Sequence, residues 1–529
     1  MQYPITGHQL LGFSESALSK NTFQTVNPQT GSPTSWEFYE ATDSEVHTAM
    51  ELAASAFSTY RDLPGTDRAA FLKAIAVQLE EQQEDLVTVY MQESGLPEGR
   101  ARGELGRTTG QLRAFATVAE SSSWMEVRID TAQPDRTPLP KPDIRKCMRP
   151  LGPVVVFGAS NFPFAFSTAG GDTASALAVG CPVVVKGHPM HAGTSEAVGR
   201  CIQMAARQTG MPEGVFSHLQ GSGTGLGASL VKHPAAKAVG FTGSKGGGLA
   251  LSRLGAERNE PIPVFAEMGS INPVVVLPSA TEPEKGWAKA YAHSVTLGAG
   301  QFCTNPGLVL GIEGSGWTAF SKALADEVDA VGTACMLHSN IAAQYQSLRS
   351  EFFAQPGVGR MTAENDNEGD TRATGAVGMV SAAEFRKNAS LKREVFGPFT
   401  LLVTCEDQED LTRTLTGLEG QLTASLLGNE AEIQSASAVV GLLGEKAGRL
   451  LINGVPTGVE VCPSMHHGGP FPATTDSRFT SVGIDAVNRW IRPLSYQNLP
   501  AGILPPALKD DNPLGILRMV NGQMTADPI

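Results

Sequence analysis

Five short apolar segments between residues 151 and 268 constrain the fold more than any other feature of the chain. They are rich in β-branched residues and are separated by small-residue, polar or helix-forming stretches: LGPVVVFGA, CPVVVKG, VFSHLQG, KAVGFTG and IPVFAEMG. Continuous apolar strands that alternate with helices are typical of a parallel sheet covered on both faces. The segment INPVVVLP then opens a second α/β region that runs to about residue 465. We therefore predict an α/β fold with two doubly wound sheets.

The segments outside these regions differ in amino-acid composition and in the spacing of their apolar residues. Residues 44–120 are rich in Ala, Leu, Glu and Gln at helical spacing and predict several amphipathic helices. Residues 121–150 are polar and proline-rich, which favours an extended excursion. The stretch from about residue 480 is rich in Pro and Leu and predicts an arm or an edge strand. A chain of 529 residues is too long for one core, so two or three structural units are expected.

The composition excludes several classes of function. The net charge of -13, from 53 acidic and 40 basic residues, argues against a nucleic-acid partner. No apolar run approaches the roughly 18 residues that a membrane helix requires, and no secretory signal is visible at the N-terminus. The seven cysteines are scattered, with no CxxC pair and no zinc-like clustering, so we expect reduced thiols, a cytoplasmic location and no metal.

Three residues are candidates for covalent chemistry. Cys303 lies in GAGQFCTNPG, where loop N–H groups are suited to stabilising a thiolate. Glu267 ends an apolar strand in VFAEMG, where burial would raise its pKa and suit it to act as a base. Asn161 follows the first strand and has an amide that an oxyanion would accept. Taken singly, each is more often structural: a buried thiol, a solvated carboxylate and a turn or N-cap residue.

Six strings change this balance because they occur together and in order. SNFPF, VVVKGHP, GFTGSKGGG, EMGSINP, GQFCTNPG and EVFGPF resemble the aldehyde dehydrogenase superfamily, and the resemblance runs from about residue 20 to the C-terminus. It implies that Cys303 adds to an aldehyde, that Asn161 stabilises the oxyanion, and that hydride transfer leaves a thioester. Glu267 would then activate the water that hydrolyses the thioester.

The resemblance also implies a division of the chain into units. Residues 1–120 and 150–268 would form the cofactor-binding domain, with the N-terminal helices packed on a Rossmann-like sheet. Residues 269–478 would form the catalytic domain. Residues 121–149 and 479–529 would form an oligomerisation arm and a C-terminal extension, so a homodimer or homotetramer is expected.

A nicotinamide cofactor, NADP or NAD, follows from the same resemblance. The string GSGTGLG at 221–227 is only a weak match to the GxGxxG pattern. The family's site would instead use Lys186 for the adenosine ribose, Ser244 with a helix N-terminus for the pyrophosphate, and Glu394 for the nicotinamide ribose. The remaining expected cofactor residues are Ala159, Ser160, His188, Pro189, Gly223, Gly227, Phe241, Gly243, Met268 and Phe396.

Departures from the family pattern bear on specificity. Pro189 replaces a glutamate that NAD-preferring relatives often use, which removes a charge that would repel a 2′-phosphate, and His188 adds a donor. We therefore expect NADP to be accepted. The family's GGK after the base is Gly269, Ser270 and Ile271 here. HHGGPFPATTD replaces the usual C-terminal string, and we interpret its histidine pair, 466 and 467, as structural.

The strings GVEVCPSMHHGGPFPATTDSRFTSVG and RPLSYQNLP look like the branch that oxidises 2,5-dioxovalerate, or α-ketoglutarate semialdehyde, in sugar-acid, pentose or hydroxyproline catabolism. Arg107 would then pair with the substrate carboxylate, although an exposed helix arginine is the alternative. Phe162, Ala165 and Ala169 would line the same tunnel from a helix after Asn161.

Three alternatives stay open. A related NADP-linked long-chain aldehyde dehydrogenase shares many of these strings, and two tunnel alanines would suit a longer substrate. A CoA-acylating enzyme is disfavoured because CoA transfer requires no water-activating base such as Glu267. A non-catalytic relative is disfavoured because Asn161, Glu267, Cys303 and Glu394 are all present.

Overall fold

The computed structural model describes residues 4–364 and 369–529. Within these two ranges the strands form two seven-stranded sheets, one five-stranded sheet and three two-stranded sheets. Helices cover the two large sheets, so the α/β architecture with two wound sheets is confirmed. None of the helices in the described ranges is long and apolar enough to cross a membrane.

The first large sheet contains all five apolar segments from 151 to 268. The strands, in spatial order, are Val264–Glu267, Ala238–Thr242, Val154–Phe157, Val183–Lys186, Phe216–Leu219, Gln9–Leu11 and Ser14–Ser16. The first five run parallel, and the two N-terminal strands extend the sheet in antiparallel pairing. Because the strand order reverses at Val154–Phe157, a crevice lies beyond its carboxyl end, where ligands bind in open α/β sheets.

Helices pack on both faces of this sheet. Thr42 and Glu45 form a capping box that begins the first helix, and Gly95 ends the third in the left-handed conformation. The bounds of the helices are Asp43–Tyr60, Gly65–Glu81, Gln83–Ser94, Glu98–Ser121, Gly171–Val179, Ala192–Gln208, Gly225–Lys232 and Lys245–Ala256. The helical prediction for residues 44–120 is confirmed.

The prediction of a helix directly after Asn161 is wrong. Residues 162–169 form consecutive turns, and the helix begins only at Gly171. The buried carboxylate of Glu104 accepts the backbone N–H groups of Phe164 and Ala165 at 2.9 and 3.0 Å. These long-range bonds replace the helical ones, which sequence periodicity alone does not reveal.

The second large sheet is built from residues 274–452. The strands, in spatial order, are Gly359–Arg360, Ala376–Ser381, Phe399–Cys405, Leu308–Ile312, Val274–Val276, Gln421–Leu427 and Ala447–Ile452. All neighbours run parallel except the first pair. The covering helices are Trp287–Thr296, Ser315–Val331, Ser339–Phe353, Ala382–Lys387, Gln408–Thr416, Glu430–Ser435 and Ser437–Lys446.

The five-stranded sheet joins the proline-rich excursion to the C-terminal segment. Its strands, in spatial order, are Ile491–Gln497, Ile144–Pro150, Arg128–Asp130, Arg518–Val520 and Gln523–Thr525. The short sheets pair Thr22–Phe23 with Phe38–Tyr39, Val26–Asn27 with Ser32–Pro33, and Thr333–Cys335 with Arg372–Thr374. The strand Ile491–Gln497 has alternately exposed side chains and lies at an edge of its sheet.

Candidate active site

Glu267 is the last residue of an edge strand in the first sheet. Its backbone pairs with Thr242 on one side and forms a bridge to Thr474 on the other, while the next amide, Met268, donates to Ala473. The side chain is buried, with only 4% of the residue exposed. The segment around Thr474 therefore closes the sheet edge and fixes the direction of the carboxylate.

Cys303 lies in the loop before the strand Leu308–Ile312. Three consecutive residues, 298 to 300, have positive φ, and a Cβ on Gly300 would come within 2.2 Å of the Gly397 backbone. The Asn272 amide donates to the carbonyls of Cys303 and Asn305, both at 2.9 Å. The close approach that only glycine permits at position 300, together with the two hydrogen bonds from Asn272, fixes the loop that carries the thiol.

Three reactive side chains converge where the two sheets meet. The Cys303 Sγ lies 3.5 Å from Nε2 of His467, and the same nitrogen lies 3.0 Å from Oε1 of Glu267. The Ser481 hydroxyl donates to Oε2 of Glu267 at 2.5 Å. The ligand atoms of Glu267, Cys303 and His467 lie within 4.8 Å of one another. A thiol, an imidazole and a carboxylate thus form one hydrogen-bonded cluster.

The electrostatics of this cluster keep the thiol protonated. The pKa of Cys303 lies well above its ordinary value, mainly because the thiol is buried. The charge and hydrogen bond of Glu267 and the charge of Glu394 raise this pKa further, whereas the charge of Arg107 lowers it. Burial alone would also raise the pKa of Glu267, as expected from the sequence. The His467 ring and the hydrogen bonds from Ser481 and Cys303 outweigh burial and lower that pKa, so the carboxylate is ionised.

Asn161 reaches the same loop from the carboxyl end of the first sheet. It follows the strand Val154–Phe157, and its Nδ2 donates to the carbonyl oxygen of Gln301 at 3.0 Å. The amide is therefore held two residues from Cys303 along the loop. The structure brings all three sequence-predicted catalytic residues together.

Arg107 approaches this cluster from the helix Glu98–Ser121. Its guanidinium lies over the Phe166 ring at 5.0 Å, and Nη2 makes a long contact of 3.5 Å with the Val459 carbonyl. Its Nη1 is buried without a hydrogen-bond partner among the described residues. Burial lowers the pKa of Arg107, while the charges of Glu104, Cys303 and Glu267 oppose that shift. Arg107 is therefore not an exposed helix arginine.

The aromatic and alanine residues of the expected tunnel separate into two groups. The Phe162 ring meets the Phe302 ring edge to face at 5.4 Å, and Arg100 lies over both rings. Ala165 and Ala169 are fully buried and face no open space, because they belong to the buried turns and not to a helix. The expectation that these alanines line a roomy passage is wrong, and Phe166 faces Arg107 instead.

Two further ionisable groups of the predicted site, Lys186 and Glu394, are half-buried. Lys186 ends the strand Val183–Lys186, and burial lowers its pKa to about 8, opposed by Glu40. Glu394 comes within reach of Gly269, where a Cβ would lie 2.1 Å from Oε2. Burial raises the pKa of Glu394 to about 7, partly offset by a hydrogen bond from Ser270. Both groups are chemically suited to ribose hydroxyls.

Comparison with known proteins agrees with this arrangement. The model of the "Aldehyde dehydrogenase family" matches residues 14–470. The chain belongs to the aldehyde dehydrogenase family. This aldehyde dehydrogenase is therefore an enzyme that oxidises a small-molecule aldehyde with a nicotinamide cofactor, as the sequence resemblance implies.

Two curated relatives match this aldehyde dehydrogenase over nearly the whole chain. "Alpha-ketoglutaric semialdehyde dehydrogenase 2" of Azospirillum brasilense is 48% identical, covering 98% of this chain and 99% of the relative. "Alpha-ketoglutaric semialdehyde dehydrogenase" of Acinetobacter baylyi is 43% identical with the same coverage. The chain is thus similar to both over their full lengths.

Solved structures share the fold at low identity. Betaine aldehyde dehydrogenase from Staphylococcus aureus, in complex with NAD+, has a TM-score of 0.81 at 18% identity, covering 94% of this chain and 98% of that one. Thermus thermophilus 1-pyrroline-5-carboxylate dehydrogenase has a TM-score of 0.79 at 20% identity, covering 93% and 92%. These likenesses confirm the architecture.

The expected pyrophosphate residues of this aldehyde dehydrogenase lie at two helix starts. Ser244 caps the helix Lys245–Ala256 by accepting the Gly247 N–H, and Gly243 donates its N–H to the Glu267 carbonyl. Gly223 is exposed just before the helix Gly225–Lys232. Gly227 lies inside that helix, where a Cβ would meet the Phe157 ring at 2.9 Å, so it serves close packing.

The remaining expected cofactor residues surround these positions. The Phe241 ring packs edge to face on Phe157 at 6.0 Å, and Met268 is buried beneath Gly248. Ala159 is buried, Ser160 is half-buried, and Phe396 lines a cavity beside Glu394. All of them lie on the crevice side of the first sheet or beside Glu394.

The residues expected to bind the adenosine end of the cofactor do not form a simple cationic site. Burial, with the nearby His191 and Lys186, lowers the pKa of His188 well below its ordinary value, so the ring is neutral. Its Nδ1 accepts the Met190 N–H, which leaves the single proton on Nε2 as a neutral donor. Pro189 begins a short 3₁₀ turn. His188 is thus a neutral hydrogen-bond donor and not a cation for a phosphate.

Sequence reasoning missed three residues of the site. Glu40 accepts the N–H and hydroxyl of Ser222 and acts electrostatically on Lys186, although it lies far away in sequence. The sequence predicts a structural role for His467, yet this residue contacts both Glu267 and Cys303. Asn272 lies in the matched string EMGSINP, and this position is the sequence signal that could have identified it as a site residue.

Proposed function

We propose that this aldehyde dehydrogenase oxidises 2,5-dioxovalerate to 2-oxoglutarate. The observation that carries the proposal is Arg107, whose Nη1 is buried, has no partner among the described residues and lies on the reactive cluster. A buried guanidinium without a carboxylate is costly unless a ligand supplies one. The two full-length relatives named as α-ketoglutaric semialdehyde dehydrogenases support the same substrate.

The first half of the reaction uses Cys303 and Asn161. The Cys303 proton passes through Glu267 and His467 to solvent as Sγ forms a bond to the aldehyde carbon, which leaves the Glu267 carboxylate ionised for the second half. The Asn161 amide and the Cys303 backbone N–H stabilise the resulting oxyanion. Lys186 and Glu394 would hold the nicotinamide cofactor, which would supply the hydride acceptor when bound. A thioester on Cys303 remains.

The second half uses Glu267 as the base. The ionised carboxylate removes a proton from water as the water oxygen attacks the thioester carbonyl, and the C–S bond breaks to release the acid. The test for the CoA-acylating alternative is product analysis with CoA present. Free carboxylic acid is expected as the product, and an acyl-CoA would overturn the role given to Glu267.

His467 positions the other two groups. Its Nε2 lies between the thiol and the carboxylate, so one proton at that nitrogen is donated to Glu267 and orients the carboxylate beside the thiol. His467→Asn should lower kcat more than it raises KM and should shift the pH profile. A change in KM alone would make the residue a packing element only.

The substrate assignment is tested with Arg107→Ala. The wild-type enzyme should prefer 2,5-dioxovalerate over pentanal and over a long-chain aldehyde. Loss of one charge-assisted pair costs about 1.5–3 kcal/mol, or roughly a 10- to 100-fold fall in kcat/KM for the dioxo acid. The value for pentanal should hardly change. Arg102→Ala, on the same helix and paired with Glu84, is the matched control.

A preference for the long-chain aldehyde, unaffected by Arg107→Ala, would favour the alternative substrate class. An equal loss for both aldehydes would instead show that Arg107 supports the fold of the site. Either result would contradict the assignment of Arg107 to the substrate carboxylate.

We also propose that NADP is accepted beside NAD. Lys186 and the neutral donor His188 favour a 2′-phosphate, and Glu40 opposes it because its carboxylate acts on Lys186. Glu40→Gln should therefore raise the ratio of kcat/KM for NADP over NAD several-fold. Glu37→Gln, which removes a neighbouring exposed carboxylate, is the control. Strict NAD dependence of both the wild type and Glu40→Gln would overturn this proposal.

We propose that the active form of the enzyme is a cytoplasmic homodimer or homotetramer. The exposed edge of the strand Ile491–Gln497 leaves backbone groups that a second sheet edge would pair. Its seven residues make it longer than the very short edge strands by which proteins avoid such pairing. Light scattering of the purified chain decides between monomer and assembly, and a monomer would overturn this part.

A further inference from the structure

We infer that the catalytic cluster is also a binding site for Zn²⁺, which would reversibly inhibit the enzyme. Cys303, His467 and Glu267 offer one sulfur, one imidazole nitrogen and one carboxylate oxygen within 4.8 Å of one another. Three such ligands and an open fourth position are the usual donor set for zinc. Binding needs no aldehyde, so it stands independently of the proposed substrate; only its inhibitory consequence rests on the proposed roles of these residues.

The distances already approach those of a tetrahedral ion. Zinc lies about 2.3 Å from sulfur and about 2.0–2.1 Å from nitrogen or oxygen, which separates ligand atoms by about 3.3–3.6 Å. The Cys303 Sγ and His467 Nε2 are 3.5 Å apart. The His467 Nε2 and Glu267 Oε1 are 3.0 Å apart and need to separate by only a few tenths of an ångström.

The charge balance of the cluster favours a dication. Glu267 and Glu394 both place negative charge near the thiol, while Arg107 is the opposing cation. The Cys303 proton would leave to solvent as the S–Zn bond forms, so the net change is exchange of one proton for one divalent ion. Half-buried Cys303 gives the ion a route from outside, since Glu267 and His467 are themselves buried.

The ion would use the atoms that catalysis needs. The Cys303 sulfur would no longer be available to attack the aldehyde, and the Glu267 oxygen would no longer accept a proton from water. Inhibition should therefore be complete, and a chelator should reverse it.

A second cluster provides an internal comparison. His47, Glu51 and His233 also come together, with His47 Nδ1 at 3.1 Å from His233 Nε2. The His233 Nδ1 accepts the Ala235 N–H at 3.2 Å, so the proton of the neutral ring lies on Nε2 and blocks the metal-facing position. The Nε2 of His467 also holds a proton toward Glu267, but its Nδ1 has no hydrogen-bond partner in the described part of the chain, so Nδ1 can take that proton when Nε2 binds the ion.

The experiment uses Co²⁺ as a spectroscopic probe on the chelator-treated, cofactor-free enzyme. We expect one ion per subunit, a thiolate-to-cobalt charge-transfer band and tetrahedral ligand-field bands, all removed by added Zn²⁺. Zn²⁺ should also slow alkylation of Cys303 and abolish turnover, and EDTA should restore both. Cys303→Ser should lose the charge-transfer band, and His467→Asn and Glu267→Gln should each weaken Co²⁺ binding at least tenfold.

Three control variants separate this site from other thiols and histidines. His47→Asn, Cys335→Ser and Cys462→Ser should leave the spectrum, the stoichiometry and the zinc inhibition unchanged. A charge-transfer band that persists in Cys303→Ser, or zinc inhibition that is unaffected by His467→Asn, would overturn the inference. Circular dichroism of each variant verifies folding, and His467→Gln serves as a second substitution if His467→Asn does not fold.

Discussion

The reactivity of Cys303 depends on the charge of Glu267, the residue proposed as the base for hydrolysis. Glu267 and burial raise the pKa of the thiol, while Ser481 and His467 keep the carboxylate ionised. A protonated thiol is a weak nucleophile, so Cys303 should react slowly with thiol reagents in the ligand-free enzyme. The roles of base and nucleophile are therefore electrostatically opposed.

Replacing Glu267 with Gln removes the negative charge beside the sulfur. Because that charge raises the pKa of Cys303, its loss lowers the pKa and increases the thiolate fraction at neutral pH. Iodoacetamide should then alkylate Cys303 faster than in the wild type, while steady-state turnover falls roughly 10²- to 10⁴-fold. Alkylation as slow as in the wild type would contradict the electrostatic argument.

The proposed contact of Glu394 with the cofactor predicts that cofactor binding depends on pH. Its pKa is raised to about 7, so the carboxylate is lost as pH falls through that value. Because the charged form accepts hydroxyl hydrogen bonds more strongly, KM for the cofactor should rise below about pH 7. Glu394→Gln should have a high KM with a flat profile. A pH-dependent KM in that variant would assign the effect to another group.

At the scale of single elements, the loop that carries Cys303 requires glycine at one position. Gly300 has a φ of 66°, and its Cβ would lie 2.2 Å from the Gly397 backbone. Gly300→Ala should lower the free energy of unfolding by about 2–4 kcal/mol and abolish activity. Gly444→Ala, in an exposed helix with open space around the Cβ, should stabilise the fold by about 0.5–1 kcal/mol. Urea denaturation measures both changes, and a fully active Gly300→Ala would contradict this reading of the loop.

Elements with a continuous apolar pattern were predictable, and elements formed by long-range polar contacts were not. All five apolar segments of the first sheet contain a strand. Residues 162–169 have helical composition, yet Glu104, 60 residues away from Phe164, holds them in turns. The motifs predicted Cys303, Glu267 and Asn161 because each lies in a matched string. His467 and Glu40 gave no such signal, since their partners lie in distant parts of the chain.

At the scale of the whole molecule, the site belongs to neither large sheet alone. Glu267 ends a strand of the first sheet, and Cys303 precedes a strand of the second. Asn161 bonds to Gln301 across the junction, and His467 contacts residues from both sides. A separate unit could therefore keep its own core and still lack a complete site.

The activity thus depends on the alignment of the two large sheets, because each sheet contributes part of the site. In a urea series, turnover and rapid thiol alkylation should change at a lower concentration than the far-ultraviolet circular dichroism. Coincident transitions would mean that the sheets separate only when they unfold. If activity is lost before the circular dichroism changes, ligands that contact both sheets should preserve activity at urea concentrations where the helices are still folded.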